Sequence, residues 1–144
     1  MSPALFQLST QPFDTVKLRH TLLAPSCGAF VCFEGWVRDH HDGKAVTQLS
    51  YHAHPSLALI EGERVMHEAL NCFAINGAIC VHRLGSLSLS EIAVWVGVSA
   101  SHRDQAFAAA RFIIDKIKER VPIWKQEQYV SGAPLWLHQN PASS

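Results

Sequence analysis

The sequence predicts one α+β domain, a mostly antiparallel sheet with helices packed on it, its elements running roughly β-α-β-β-α-β-β-α-β. Three observations lead there. Apolar spacing switches repeatedly between period 2 and period 3.6, so strands and helices are interleaved along the chain. Of 144 residues, 48% are hydrophobic, an amount that suits a single core. No linker, internal repeat or low-complexity run divides the chain. Residues 1–138 are therefore expected to form one domain, with 139–144 as a frayed tail.

The elements follow from local pattern. "QPFDTVKLRHTLLAPSCG" reads as a short helix ended by Pro25 and Gly28, and "AFVCFEGWV" has the β-branched and aromatic content of a strand. "RDHHDGKA" supplies a turn, and "VTQLSYHAH" alternates like a half-buried strand, so Ala29 to His54 is expected to be a hairpin with a long tip. From Pro55, the residues Ala58, Leu59, Gly62, Val65, Met66, Ala69, Leu70 and Phe73 recur at helical spacing until Asn76-Gly77. "AICVHRLGSLSLSEIAVWVGVS" splits at Gly85 to Ser90 into two strands. The second is apolar throughout and belongs in the middle of a sheet.

Composition excludes several classes of function. Twelve basic residues balance twelve acidic ones, so no overall positive field attracts nucleic acid or anionic lipid, and any basic site is local. No signal-like N-terminus and no run of about 18 apolar residues occurs, so a soluble cytoplasmic protein is the expectation. Cys27, Cys32, Cys72 and Cys80 lack CxxC spacing and are expected to be reduced thiols in or near the core. His40 and His41 are adjacent and point in different directions, with no carboxylate at helical spacing, which argues against a metal site.

The basic residues of "SASHRDQAFAAARFIIDKIKERVPIWKQEQ" are placed less casually. Ser101 and Asp104 resemble a capping box, Phe107, Ala110, Ile114, Ile117 and Val121 form an apolar stripe, and Pro122 stops the helix. At about 100° per residue, Lys118 falls on the shoulder of that stripe. Its methylenes could simply cover the core with the ammonium in water. A half-buried amine could equally have a lowered pKa and act as base, nucleophile or anion clamp. Lys125 lies beyond Pro122 on extended backbone beside Trp124, and is either a solvated lysine or part of the same site. His102 and Arg103 open the helix, where free N–H groups already favour an anion. An Arg there points to a phosphate or carboxylate ligand, or to pairing with Asp104 or Glu91. Arg38 begins the expected hairpin tip, a common location for binding residues. The residues alone thus describe an α+β domain with a local anion-binding site.

Several ordered pieces go further. "G-W-V-R" before a Gly-containing tip, "HR-x-G" at Gly85, "S-H-R" at the helix start, "K-x-x-x-P-I-W-K" at its end and the later "GAPLW" together resemble the catalytic subunit family of molybdopterin synthase, over about Gly28 to Trp136. The resemblance implies an α/β-hammerhead-like fold and a sulfurtransferase of molybdenum cofactor biosynthesis. Such an enzyme converts cyclic pyranopterin monophosphate to molybdopterin by adding two dithiolene sulfurs. The sulfur arrives as a thiocarboxylate on the C-terminal Gly-Gly of a small ubiquitin-like carrier, so no further cofactor and no metal is expected. The resemblance also implies a homodimer within a heterotetramer, catalytic roles for Lys118 and Lys125, and substrate binding by Arg38, His102 and Arg103, the pocket being completed across the dimer. His52 and His54 depart from the family's pattern in one pocket wall, and after Trp136 only His138 stands where some members carry a further basic residue. A non-catalytic phosphometabolite-binding module, or an adaptor for a ubiquitin-like protein, is the alternative.

Overall fold

In the computed structural model, residues 5–41, 43–129 and 135–138 are described. In chain order the elements are β1 (Phe6–Ser9), α1 (Thr15–Leu22), β2 (Ala29–Trp36), β3 (His40–His41), β4 (Lys44–Ala53), α2 (Pro55–Cys72), β5 (Gly77–Arg83), β6 (Gly85–Leu87), β7 (Ile92–Ala100), α3 (Arg103–Arg120), β8 (Ile123–Tyr129) and β9 (Leu135–His138). The expected order is present, with β3, β6 and β9 as short additions; the expected tail, 139–144, lies outside the described residues.

The strands form two sheets. The first has the order β1-β5-β7-β2, antiparallel apart from the parallel β1–β5 pair, and the second has the order β3-β4-β8-β9 with β6 added against β4. The apolar run "IAVWVGVS" becomes β7, an inner strand buried from Ala93 to Ala100. Its two faces meet different cores, which is why it does not alternate. Trp95 packs with Leu22 of α1, Ile79 and Val81, whereas Val94, Val96 and Val98 join the main core with α2 and α3. Where α2 approaches β1 there is no room for a side chain: a Cβ on Gly62 would collide with the ring of Phe6.

The structure corrects the Ala29–His54 hairpin. β2 pairs with β7, and β4 pairs with β8 and β6, so the two strands belong to different sheets. Adjacent strands of matching length suggested mutual pairing, but the long, buried β7 offers β2 a continuous partner from Ala29 to Trp36. The segment from Val37 to Asp39 therefore links the sheets, and Arg38 stands at their junction instead of at an exposed tip.

Helix starts follow different rules. Asp14 caps α1, accepting from the N–H of Val16 at 3.0 Å and of Lys17 at 3.1 Å. His54 caps α2 through Nδ1, which accepts from the Leu57 N–H at 3.3 Å. The Ser101–Asp104 capping box does not form: His102 occupies the cap position without a side-chain bond, and Ser101 Oγ instead donates to the Ser26 carbonyl at 3.3 Å. The buried face of α3 is also rotated from the expected stripe. Ala106, Ala109, Ala110, Ile113, Ile114 and Ile117 are buried, while Phe107 is 60% exposed. All four cysteines are free, but only Cys80 is buried; Cys32 and Cys72 are on the surface.

Candidate active site

Lys118 and Lys125 come together because a helix ends and a strand begins between them. Lys118 lies on the last turn of α3, Val121 and Pro122 end the helix, and β8 turns the chain back into the second sheet. Alternation along β8 then places Ile123, Lys125, Glu127 and Tyr129 on its buried face, with Trp124 and Gln128 outside. The spacing from Lys118 to Lys125 thus spans a helix-to-strand corner and delivers two amines to one cavity.

That cavity, of about 340 Å³, sits where the two sheets meet. Arg38, Lys118 and Lys125 line it, with Glu34, His40, His41, Tyr51, His82 and Glu127 as further polar groups and Phe33 and Trp36 of β2 at its side. Glu127, 2% exposed, organises the floor. It accepts a 2.7 Å hydrogen bond from the Tyr129 hydroxyl on Oε2, while Oε1 is 3.5 Å from Lys125 Nζ and 3.7 Å from His41 Nδ1. A buried carboxylate beside a buried ammonium offsets much of the cost of desolvating either.

Lys118 differs from Lys125. It is half-buried, and desolvation, reinforced by the charges of Lys125 and Arg38, pushes its pKa down to about 8, with Asp115 pulling weakly the other way. Near neutral pH a useful fraction of Lys118 is thus free amine. Across the sheet, Tyr51 pairs in register with Lys125; burial and the nearby Glu127 push its hydroxyl up to about 12, against a smaller downward pull from Arg38. His82, 1% exposed, packs edge-on against the Tyr51 ring at 4.9 Å, and its Nδ1–H donates to the Arg83 carbonyl at 2.8 Å.

A second, open groove of about 670 Å³ adjoins the cavity. Val31, Cys32, Phe107, Ala110 and Ile114 supply its apolar surface, Arg111 and Asp115 add charge, and it shares Phe33 and Lys118 with the cavity. Lys118 therefore lines both the chamber that holds Arg38 and Lys125 and the open groove beside it.

Of the residues expected from sequence, the structure gathers Arg38, Lys118 and Lys125 and leaves out His102 and Arg103. Those two are exposed at the far end of α3, sixteen and fifteen residues from Lys118, or about 22 Å along the axis for Arg103 at 1.5 Å per residue. Neither lines the cavity. Glu91, a suggested partner for Arg103, instead pairs with Arg83 at 3.3 Å. His52 points away from the cavity and His54 caps α2, so the wall in question is formed by Tyr51. Sequence reasoning missed Tyr51, His82 and Glu127. Alternation in "IWKQEQY" puts Glu127 on the face of Lys125 and could have revealed it; nothing in the pattern around His82 marks it. Among the described residues no cluster of His, Cys, Asp or Glu is arranged to hold a metal ion.

Residues 8–120 match the family described as MoaE protein. The chain belongs to the MoaE family. Among its relatives, a molybdopterin synthase catalytic subunit of Aspergillus fumigatus is 43% identical over 85% of this chain and 64% of its own length. Another, from Thermoplasma volcanium, is 38% identical over 90% of this chain and 95% of its own. This MoaE-family chain thus spans less than two thirds of the fungal relatives it matches, 62% in the case of Emericella nidulans, and nearly the whole of the archaeal one. Among solved structures, molybdopterin synthase from Staphylococcus aureus superposes with a TM-score of 0.86 at 32% identity, covering 92% of this chain and 96% of that one. The architecture described above is therefore the MoaE fold.

Proposed function

We propose that this chain is the catalytic subunit of a molybdopterin synthase, converting cyclic pyranopterin monophosphate to molybdopterin with sulfur from a thiocarboxylated, ubiquitin-like carrier. One observation carries the reading: Lys118, an amine with a lowered pKa, lines both a chamber that holds two further cations and an open groove. The chamber suits a small anionic substrate, and the groove suits an extended peptide tail. At Lys118, with Phe33 the wall common to both, the tail's terminal thiocarboxylate would meet the substrate.

The roles follow from charge and position. As sulfur leaves the carrier's acyl carbon, the free amine of Lys118 takes or relays protons at the reacting centre. Lys125, kept opposite Glu127, and Arg38 hold the phosphate. A cyclic diester opening to a monoester gains charge, and preorganised cations favour that transition state. His102 and Arg103, too distant to serve their own chamber, serve that of a second copy in a homodimer, with one carrier at each end of the assembly. The sulfur comes with the carrier, so the chemistry asks for no resident cofactor. No helix among the described residues is long and apolar enough to cross a membrane, and a cytoplasmic location fits the reading.

The test is conversion of cyclic pyranopterin monophosphate by this chain and a thiocarboxylated carrier, wild type beside Lys118→Ala. Product from the wild type, and a loss of about 100-fold or more in the folded, carrier-binding variant, is the expected result. A wild type that binds the carrier yet forms no product overturns the reading.

A further inference from the structure

The chamber is lined by a tyrosine hydroxyl to which the roles above give no task. Tyr51 is 8% exposed, and its ring is fixed edge-on against His82 at 4.9 Å. It lines the chamber directly across the sheet from Lys125. No hydrogen bond to its hydroxyl is made among the described residues, and the hydroxyl oxygen is not sealed in, so it is open to a ligand in the chamber. The arrangement contrasts with Tyr129 on the same floor, whose hydroxyl is used up on Glu127 at 2.7 Å. Tyr51 is thus an oriented donor, more than nine-tenths buried, in a chamber whose other walls carry Arg38, Lys118 and Lys125.

We propose that Tyr51 is a substrate-binding residue whose hydroxyl donates a hydrogen bond to a phosphate oxygen of the cyclic pterin, the same group that Arg38 and Lys125 hold. The inference rests on the function proposed above. Three features favour phosphate as acceptor. Arg38 is near enough to act electrostatically on the hydroxyl. Lys125 is the cross-strand neighbour of Tyr51. The hydroxyl stays protonated up to about pH 12, so it donates throughout the working range and adds no charge of its own. A neutral donor among cations contributes direction: it fixes which oxygen faces the floor, and so how the ring is turned towards Lys118.

Tyr51→Phe removes the hydroxyl and leaves the ring on His82. In the wild-type complex and the variant one would measure the affinity for cyclic pyranopterin monophosphate with unthiolated carrier bound, steady-state turnover with thiocarboxylated carrier, inhibition by inorganic phosphate, and the thermal midpoint. A hydrogen bond to a charged oxygen corresponds to a loss of about 10- to 100-fold. That loss should appear in pterin affinity and in kcat/KM. Inhibition by inorganic phosphate should weaken as well, and the midpoint should not fall, because the free protein loses no bond. Unchanged affinity and turnover overturn the proposal; so does a pterin defect without a phosphate defect, or a lowered midpoint, which would mean that the hydroxyl has a structural partner. A wild type that neither binds nor converts the pterin overturns the functional reading itself, and this inference with it.

Discussion

If the free amine of Lys118 takes part in sulfur transfer, the single-turnover rate must track its ionisation. With its pKa lowered to about 8, the amine is free in about 9% of molecules at pH 7, about half at pH 8 and about 90% at pH 9. A lysine at the ordinary 10.5 would give about 0.03% at pH 7, some 300-fold less. The rate should therefore climb about fivefold from pH 7 to 8 and level off above 9. Asp115 supplies a perturbation outside the chamber. It sits three residues before Lys118 on α3, is tied to Arg111 at 2.9 Å and raises the pKa of Lys118. A partly exposed pair at that spacing is worth about 0.3–0.5 kcal/mol, or about 0.3 of a pH unit. Asp115→Asn should thus move the rise in rate to lower pH by that amount and roughly double the rate at pH 7. The assay is rapid-quench conversion of the pterin at saturating thiocarboxylated carrier between pH 6 and 10. A flat profile from 6.5 to 8.5, a midpoint above 10, or an upward shift in Asp115→Asn would refute the argument. Stability has a linked sign. Between pH 8 and 10.5 the unfolded chain keeps the proton that folded Lys118 has shed, so the contribution of Lys118 to stability rises with pH, a gain visible as a net rise between pH 8 and 9 and opposed above that by Cys80 and Tyr51, whose buried groups the unfolded chain ionises first.

Two other outcomes are expected. Mixing Lys118→Ala with Arg103→Ala chains, each inactive or severely impaired alone, should restore roughly a quarter of wild-type turnover, since half the dimers would be mixed and each would hold one intact site; no recovery after confirmed subunit exchange would place Arg103 outside the partner's chamber. Glu127→Gln leaves Lys125 without its buried counter-charge and weakens the bond from Tyr129, so it should lower the free energy of unfolding by about 2–3 kcal/mol, read by chemical denaturation, and a loss below about 0.5 kcal/mol would mean that water already screens the pair.

Much of the fold was legible because periodicity is a local property. The long helices show their 3.6 spacing, β7 shows a continuous apolar run, and the corner between Lys118 and Lys125 is marked by Pro122. Pairing was not legible: β2 and β4 are adjacent in sequence and each reads as a strand, yet the choice of partner depended on β7 and β8, 56 or more residues further along. The capping box failed for a similar reason, since Ser101 found a better acceptor in Ser26, 75 residues away.

The candidate site divides along the same line. Sequence determined which residues carry charge, that Lys118 lies at the edge of a buried helix face, and, through ordered motifs, the family to which the chain belongs. Tertiary structure decided what those residues can do. Bringing two sheets together beside Arg38 places three cations around one chamber, and the partial burial of Lys118 next to the other two sets it apart from an ordinary surface lysine. It also selected Tyr51 over His52 as the wall and put His102 and Arg103 beyond reach of their own chain's chamber. Desolvation and distance depend on everything that surrounds a group, and no stretch of sequence contains its own surroundings.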